Sequence, residues 1–246
     1  MIERRRLTVS RLRRNWMGSM SSEAISGSET NETRRGFFVP LPATALASAV
    51  LVLIIAGAGI LLWQMWPRDP GNDSAEAGFM RDMNLHHSQA VEMAMIIRDR
   101  TEDPELFALA TDIALTQSTQ MGAMQAYLES WGLPFASADP PMTWMGMPIE
   151  DGLMPGMATP DQIQQLRDLP VAEAEVLFLE LMIRHHQGGV EMAEALLERS
   201  DHSSIELMAQ RTIALQDMEI GSMNQMLEAR GEEPITDPLP STHEGH

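Results

Sequence analysis

The sequence repeats itself, and the repeat constrains the fold more than any other feature. The pair His86-His87 in LHHSQAVEMA returns 99 residues later as His185-His186 in RHHQGGVEMA, and the register holds without a gap from Phe79/Phe178 to Gly132/Gly231. An internal repeat fixes architecture before any single residue is interpreted. Here it predicts two copies of one helical hairpin, each carrying the same two histidines in the same place.

The hairpin reading comes from spacing and breaks. Apolar residues recur at helical intervals from about Ala75 to Arg100. Thr101-Glu102-Asp103-Pro104 then supplies a break, an N-cap candidate and a proline suited to the first helical turn. A second helix runs to about Trp131 and is stopped by Gly132 and Pro134, as the second copy is stopped by Gly231 and Pro234. Thr159-Pro160-Asp161-Gln162 reads as a capping box that opens a short helix, Val171 to Arg199 as the third long helix, and Ser203 with Glu206 as the opening of the fourth. The fold expected is all-α: a ferritin-like four-helix bundle of two repeated hairpins, preceded by one transmembrane helix. The segments are 1–35, basic; 36–66, the transmembrane helix; 67–78, a linker; 79–231, the bundle, with repeats 79–132 and 178–231 around a methionine-bearing linker 133–177; and 232–246, a tail.

The transmembrane expectation rests on Gly36 to Trp66, which holds no charged residue and is long enough to cross about 30 Å of hydrocarbon as a helix. Ala45-Leu46-Ala47 also resembles a peptidase site, so a cleaved signal peptide is the alternative to an uncleaved anchor. Eight arginines precede the run, which puts the N-terminus in the cytoplasm and the rest of the chain, single-pass, outside. After Trp66, 9 Arg face 31 Asp and Glu, a net of −22. So acidic a domain does not suit nucleic acid or anionic lipid as a partner; it suits cations, and equally plain solubility.

Cysteine is absent, which excludes thiolate zinc sites, iron–sulfur clusters, thiol catalysis and disulfides. Any metal must be held by nitrogen, oxygen or thioether sulfur. On a helical wheel Met83, His86, His87, Ala90, Met93, Ala94 and Ile97 share one stripe, and Met182, His185, His186, Gly189, Met192, Ala193 and Leu196 share another. The second and fourth helices offer Gln117, Met121, Met124 and Leu128 against Gln216, Ile220, Met223 and Leu227, with Gln120 and Glu219 at the edge. Glu92 and Glu191 lie off the stripe, as partners of a neighbouring helix or auxiliary acceptors. One histidine in an apolar stripe is ordinarily a packing residue, and a core methionine is ordinarily filler. Four interior imidazoles without a run of carboxylates are costly unless they hold something.

Softness narrows the metal. Thioethers select Cu(I), and imidazole suits copper, zinc, iron and nickel. Among 21 methionines, Met142, Met145, Met147, Met154 and Met157 fall in a linker with little other hydrophobicity. They are candidates for capture of Cu(I), or for covering the apolar end of the bundle. The terminal His243-Glu244-Gly245-His246 is read as a polar tail.

The stretch LELMIRHHQGGVEMAEALL, preceded by Met-Pro-Gly-Met and Thr-Pro-Asp-Gln, resembles the family of domain of unknown function 305, which includes CopM-like extracytoplasmic copper-binding proteins. The match runs from about Phe79 to Gly231. The resemblance implies a helical bundle that holds copper through His86, His87, His185 and His186 with Met83, Met93, Met182 and Met192, and less directly Met124 and Met223. Gln117, Gln216 and Glu219 are auxiliary candidates. Asn84-Leu85 stands where the second copy has Ile183-Arg184, a departure that leaves room for a different geometry in the first half.

The expected function is a membrane-anchored, extracytoplasmic copper-binding protein that sequesters copper or hands it on, without catalysis. The alternatives are a ferritin-like dinuclear metal oxidase, which would need Glu-x-x-His motifs absent from these helices, and a partner-binding scaffold whose histidines only pack.

Overall fold

The computed structural model describes residues 43–64, 69–150 and 152–239. The described residues form six α-helices and one 3₁₀ turn, with no strand: α1 (Ala43–Gln64), α2 (Ala75–Arg98), α3 (Pro104–Ser130), the turn at Thr143–Met145, α4 (Pro160–Asp168), α5 (Val171–Leu197) and α6 (Ser203–Ala229). The basic segment 1–35 and the histidines of the tail lie outside them.

Helix α1 belongs to a unit of its own, Met1–Trp66. It is shorter than the uncharged run that contains it. Half of its residues are Ala, Gly, Ser, Thr or Gln, and its large aliphatic side chains are concentrated in Val50–Ile55 and Ile60–Leu62. Among the described residues no helix is long and apolar enough to cross a membrane. The expected single-pass anchor, with a cytoplasmic N-terminus and an exported C-terminal domain, is corrected accordingly.

The second unit, Pro67–His246, carries the repeat. Its helices start where the backbone donors find acceptors. Ser74 accepts from Ala77 N, Asp103 from Glu105 N and Leu106 N, and Thr159 with Gln162 forms the reciprocal capping box. Helix α6 differs from expectation: Ser203 is its first residue, and His202 stands at the cap without a side-chain bond. Both hairpins end alike. Gly132 and Gly231 take left-handed backbone (φ +67° and +85°), so Leu133 N donates to Leu128 O and Glu232 N to Leu227 O.

Helix α2 packs on α3, α5 on α6, and α2 on α5. Two apolar clusters result. One holds Phe79, Met83, Met124, Leu128, Met192, Leu196 and Ile205; the other holds Phe178, Met182, Met223, Leu227, Met93, Ile97 and Leu106. Each residue of the first list has its repeat mate in the second. That exchange means the copies are related by an approximate two-fold axis, and that α2 and α5 run antiparallel, Met83 beside Met192 and Met93 beside Met182. The histidines lie between the clusters. Side chains as fully buried as these contribute roughly 1.5–3 kcal/mol each, so both sides of the histidine layer are held by ordinary core.

The linker covers both ends. Met142 and Met154 enter the first cluster with Trp144 against it, while Ile163 and Leu166 of α4 enter the second. Arg230 closes the far end of the hairpins, bonding Asp103 at 2.5 Å and Glu175 at 2.9 Å.

Candidate metal centre

All four histidines are fully buried. His86 and His185 stack across the α2–α5 seam with ring centroids 3.7 Å apart and planes 31° apart, and His186 lies 6.3 Å from His185. The stripe that sequence spacing puts inward is therefore inward, and it brings the two copies face to face.

Each ring uses Nε2 in the same way. His86 Nε2 lies 3.1 Å from Pro155 O, His185 Nε2 3.0 Å from His86 O, His87 Nε2 2.6 Å from Gln120 Oε1 and His186 Nε2 2.7 Å from Glu219 Oε2. A backbone carbonyl only accepts, so the proton of His86 and of His185 sits on Nε2. Gln120, turned with its oxygen to the ring, does the same for His87. Desolvation by full burial lowers His86 to about 3, helped by the neighbouring His87, and lowers His87 to about 4. His185 is driven well below the usual imidazole range by burial and then by His86. These three rings are neutral at pH 7, and a neutral ring with its proton on Nε2 has a bare lone pair on Nδ1. The Glu219 carboxylate, which can only accept, receives a hydrogen bond from His186 Nε2–H likewise.

None of the four Nδ1 atoms has a hydrogen-bond partner in the protein. A buried polar atom left without one costs about 1–3 kcal/mol. Nearly all such atoms are satisfied in folded proteins, so four at equivalent positions call for an explanation. The donor set fits a metal: imidazole nitrogens already deprotonated, their second nitrogens fixed by oxygen acceptors as in known metal sites. Among the described residues no three His, Asp or Glu side chains converge closely enough to hold an ion by themselves. A complete shell would have to draw on thioether or amide groups as well.

The other residues singled out from sequence divide into groups. Met83, Met124 and Met192 share one cluster with Met142 and Met154; Met93, Met182 and Met223 share the other; all six repeat methionines are fully buried. Met145, Met147 and Met157 pack against the first cluster, partly buried. Gln117 and Gln216 are 2% exposed. Glu92 and Glu191 are exposed and away from the histidines, Glu92 paired with Arg167 at 2.6 Å. Gln120, read as an edge residue, is a histidine partner. The Pro155 and His86 carbonyls were not foreseen at all. A backbone acceptor leaves no trace in residue type, although one indirect signal existed. Gly188-Gly189 sits inside a helix, where glycine costs about 1 kcal/mol, at the place of Gln89-Ala90. A Cβ on Gly188 would stand 1.9 Å from Pro155 O, so the glycine admits the linker backbone to the site.

The profile of the family described as Domain of unknown function (DUF305) matches residues 76–227. The chain belongs to the DUF305 family. A DUF305 protein of Streptomyces coelicolor, described as secreted, is 47% identical, with a TM-score of 0.63 over 68% of this chain and 100% of that one. A DUF305 fragment from Deinococcus radiodurans is 34% identical, with a TM-score of 0.56 over 66% and 99%. CopM in its Cu(II)-bound form matches at 23% identity and a TM-score of 0.51, over 63% and 97%; at that identity the likeness is one of fold. A curated protein of Acanthamoeba polyphaga mimivirus is 37% identical over 51 residues, which span 21% of this chain and 34% of that protein.

Proposed function

We propose that this DUF305 protein binds copper in the histidine layer and sequesters it or hands it on, without catalysing a reaction. The observation that carries this reading is the set of four buried Nδ1 atoms with no partner, each on a ring whose Nε2 is committed to an oxygen. Methionines equivalent in the two copies flank that layer on both sides. Imidazole with thioether and no thiolate favours copper, Cu(I) in particular, over zinc. CopM, which shares the fold, was solved with Cu(II); for this chain the copper reading stands on its own residues. The stack of His86 on His185 supports a site built from both copies rather than one per hairpin.

The test is a competition titration on the full chain under reducing conditions. Cu(I) is expected to remain bound in the presence of excess Zn(II), with the bound metal counted by mass spectrometry. Displacement of Cu(I) by Zn(II) would sink the assignment.

A further inference from the structure

Six more buried polar atoms among the described residues lack partners: His202 Nδ1, Thr212 Oγ1, and four that belong to two side chains. Gln117 on α3 and Gln216 on α6 are repeat mates, each 2% exposed. In both, neither the amide oxygen nor the amide nitrogen has a hydrogen-bond partner, so the deficit persists whichever way the amide is turned. Each lies one helical turn before the residue that orients a histidine, Gln120 or Glu219. Gln216 reaches across to α5: a Cβ added at Gly189, one turn past the histidine pair, would stand 2.5 Å from its Oε1 and 2.9 Å from its Nε2. The bare backbone at Gly189 makes room for this amide.

Leucine or methionine would fill the same volume without the penalty of an unbonded amide. Two equivalent glutamines that keep that penalty, each one turn from the residue that orients His87 or His186, share a cause with the four unpartnered imidazole nitrogens. Carboxylates and imidazoles do not complete a shell on their own among the described residues. Thioethers supply soft donors; an amide oxygen is a hard one and suits Cu(II) where thioether does not. Resting on the copper reading above, we propose that Gln117 and Gln216 are oxygen donors to bound copper and let the histidine layer hold Cu(II) as well as Cu(I).

The experiment compares the full chain with the double variant Gln117→Leu/Gln216→Leu and with Gln216→Glu. Cu(II) and Cu(I) affinities are measured separately, with paramagnetic resonance of the Cu(II) forms and thermal melting of the metal-free forms. In the leucine variant Cu(II) affinity is expected to fall at least tenfold and the Cu(II) spectrum to change, while Cu(I) affinity moves less than twofold. Its metal-free melting temperature should rise, because the unbonded amides are gone. In Gln216→Glu the anionic oxygen should tighten Cu(II) severalfold. Unchanged Cu(II) binding with a lower melting temperature would make the amides structural and overturn the inference while leaving the copper reading intact. If the leucine variant fails to fold, the glutamate variant decides, and absence of tightening overturns the inference. A parent chain that binds neither ion would overturn the copper reading and this inference with it.

Discussion

In the first hairpin His87 is held by an amide, Gln120; in the second His186 is held by a carboxylate, Glu219. In the first, Arg81 and Asp82 are buried and tie down other segments; their mates in the second are Glu180, exposed, and Leu181, in the core. Arg81 donates to Pro134 O and to Asn72, and Asp82 accepts from Met142 N at 2.7 Å and Trp144 Nε1 at 2.9 Å, its carboxyl raised by burial. The large core residues named for the two clusters, by contrast, exchange with their mates: Phe79 with Phe178, Met83 with Met182, Met93 with Met192. The copies are alike in what packs and unlike in what meets the linker, which crosses the molecule once and cannot respect the two-fold axis. Histidine pairs identical in sequence thereby become inequivalent: His86 bonds the linker at Pro155, whereas His185 bonds the main chain of the opposite helix at His86.

The strongest test of that comparison removes one pair at a time. If the stacked rings form one shared site, His185→Ala/His186→Ala should eliminate more than half of the tightly bound copper, and His86→Ala/His87→Ala should do the same. Independent sites would lose half in each variant. Mass-spectrometric metal counts on the full chain decide between these, and full stoichiometry with full affinity in either variant would return the histidines to packing.

The next effect is read in the metal-free protein as acid sensitivity. His86 and His87 have folded values of about 3 and about 4, below their unfolded value of 6.5. Above pH 6.5 both states are neutral and no penalty applies. As pH falls below 6.5 the unfolded chain takes up protons that the folded one refuses, so stability drops steadily until about pH 4 for His87 and about pH 3 for His86. The loss should reach a few kcal/mol by about pH 4, seen by denaturant titration at stepped pH. A double variant lacking His86 and His87 should be flatter over that window; an identical pH profile would contradict the burial argument.

Linker entry gives a smaller and strictly one-sided effect. Gly188→Ala would drive a methyl group onto the Pro155 carbonyl, 1.9 Å from its oxygen and 2.5 Å from its carbon. Backbone cannot swing aside as a side-chain tip can, so a cost of about 1–3 kcal/mol is expected, beyond any gain in helix propensity. The mate, Gln89, already carries a side chain, which exchanges hydrogen bonds with Ala158 at 2.8 and 2.7 Å. Gln89→Gly should lose those bonds and some helix propensity, yet leave Pro155 on His86. A Gly188→Ala chain as stable as the parent would show that the linker does not sit tightly over α5.

What the sequence made legible follows the same division. The helical stripes, Asp103 and Thr159 as caps, Gly132 and Gly231 as stops, and the inward histidines all depend on local periodicity and side-chain chemistry, which residue order encodes directly. The linker contacts do not. Pro155 O on His86 depends on where the chain between α3 and α4, residues 131–159, comes to rest, and Met142 takes a left-handed backbone (φ 66°) that nothing in its type announces. The role of Gln120 was lost because a residue at the edge of a stripe can turn either way, and only the ring beside it settles the direction. The anchor expectation rests on the absence of charge from Gly36 to Trp66, and among the described residues no helix is long and apolar enough to cross a membrane.

The finest test exchanges the acceptors themselves. A carboxylate on Nε2 makes the opposite nitrogen of an imidazole a better ligand than an amide does, and altering such a partner typically changes metal affinity by 10–100-fold. Glu219→Gln makes the second half resemble the first and should weaken copper binding about tenfold, about 1.4 kcal/mol. Gln120→Glu should strengthen it, since Gln120 is only partly buried and can carry a charge without full desolvation. The exchange of both, Gln120→Glu with Glu219→Gln, then separates two accounts of the asymmetry. If the acceptors alone distinguish the halves, the doubly exchanged chain recovers parental affinity, because the carboxylate has only moved from one histidine pair to its mate. If the linker distinguishes them, affinity stays low, because the carboxylate would now serve the pair whose other ring is bonded to Pro155. Cu(I) titrations of the four chains at one pH give the answer, and equal affinity in all four would remove both acceptors from any part in binding.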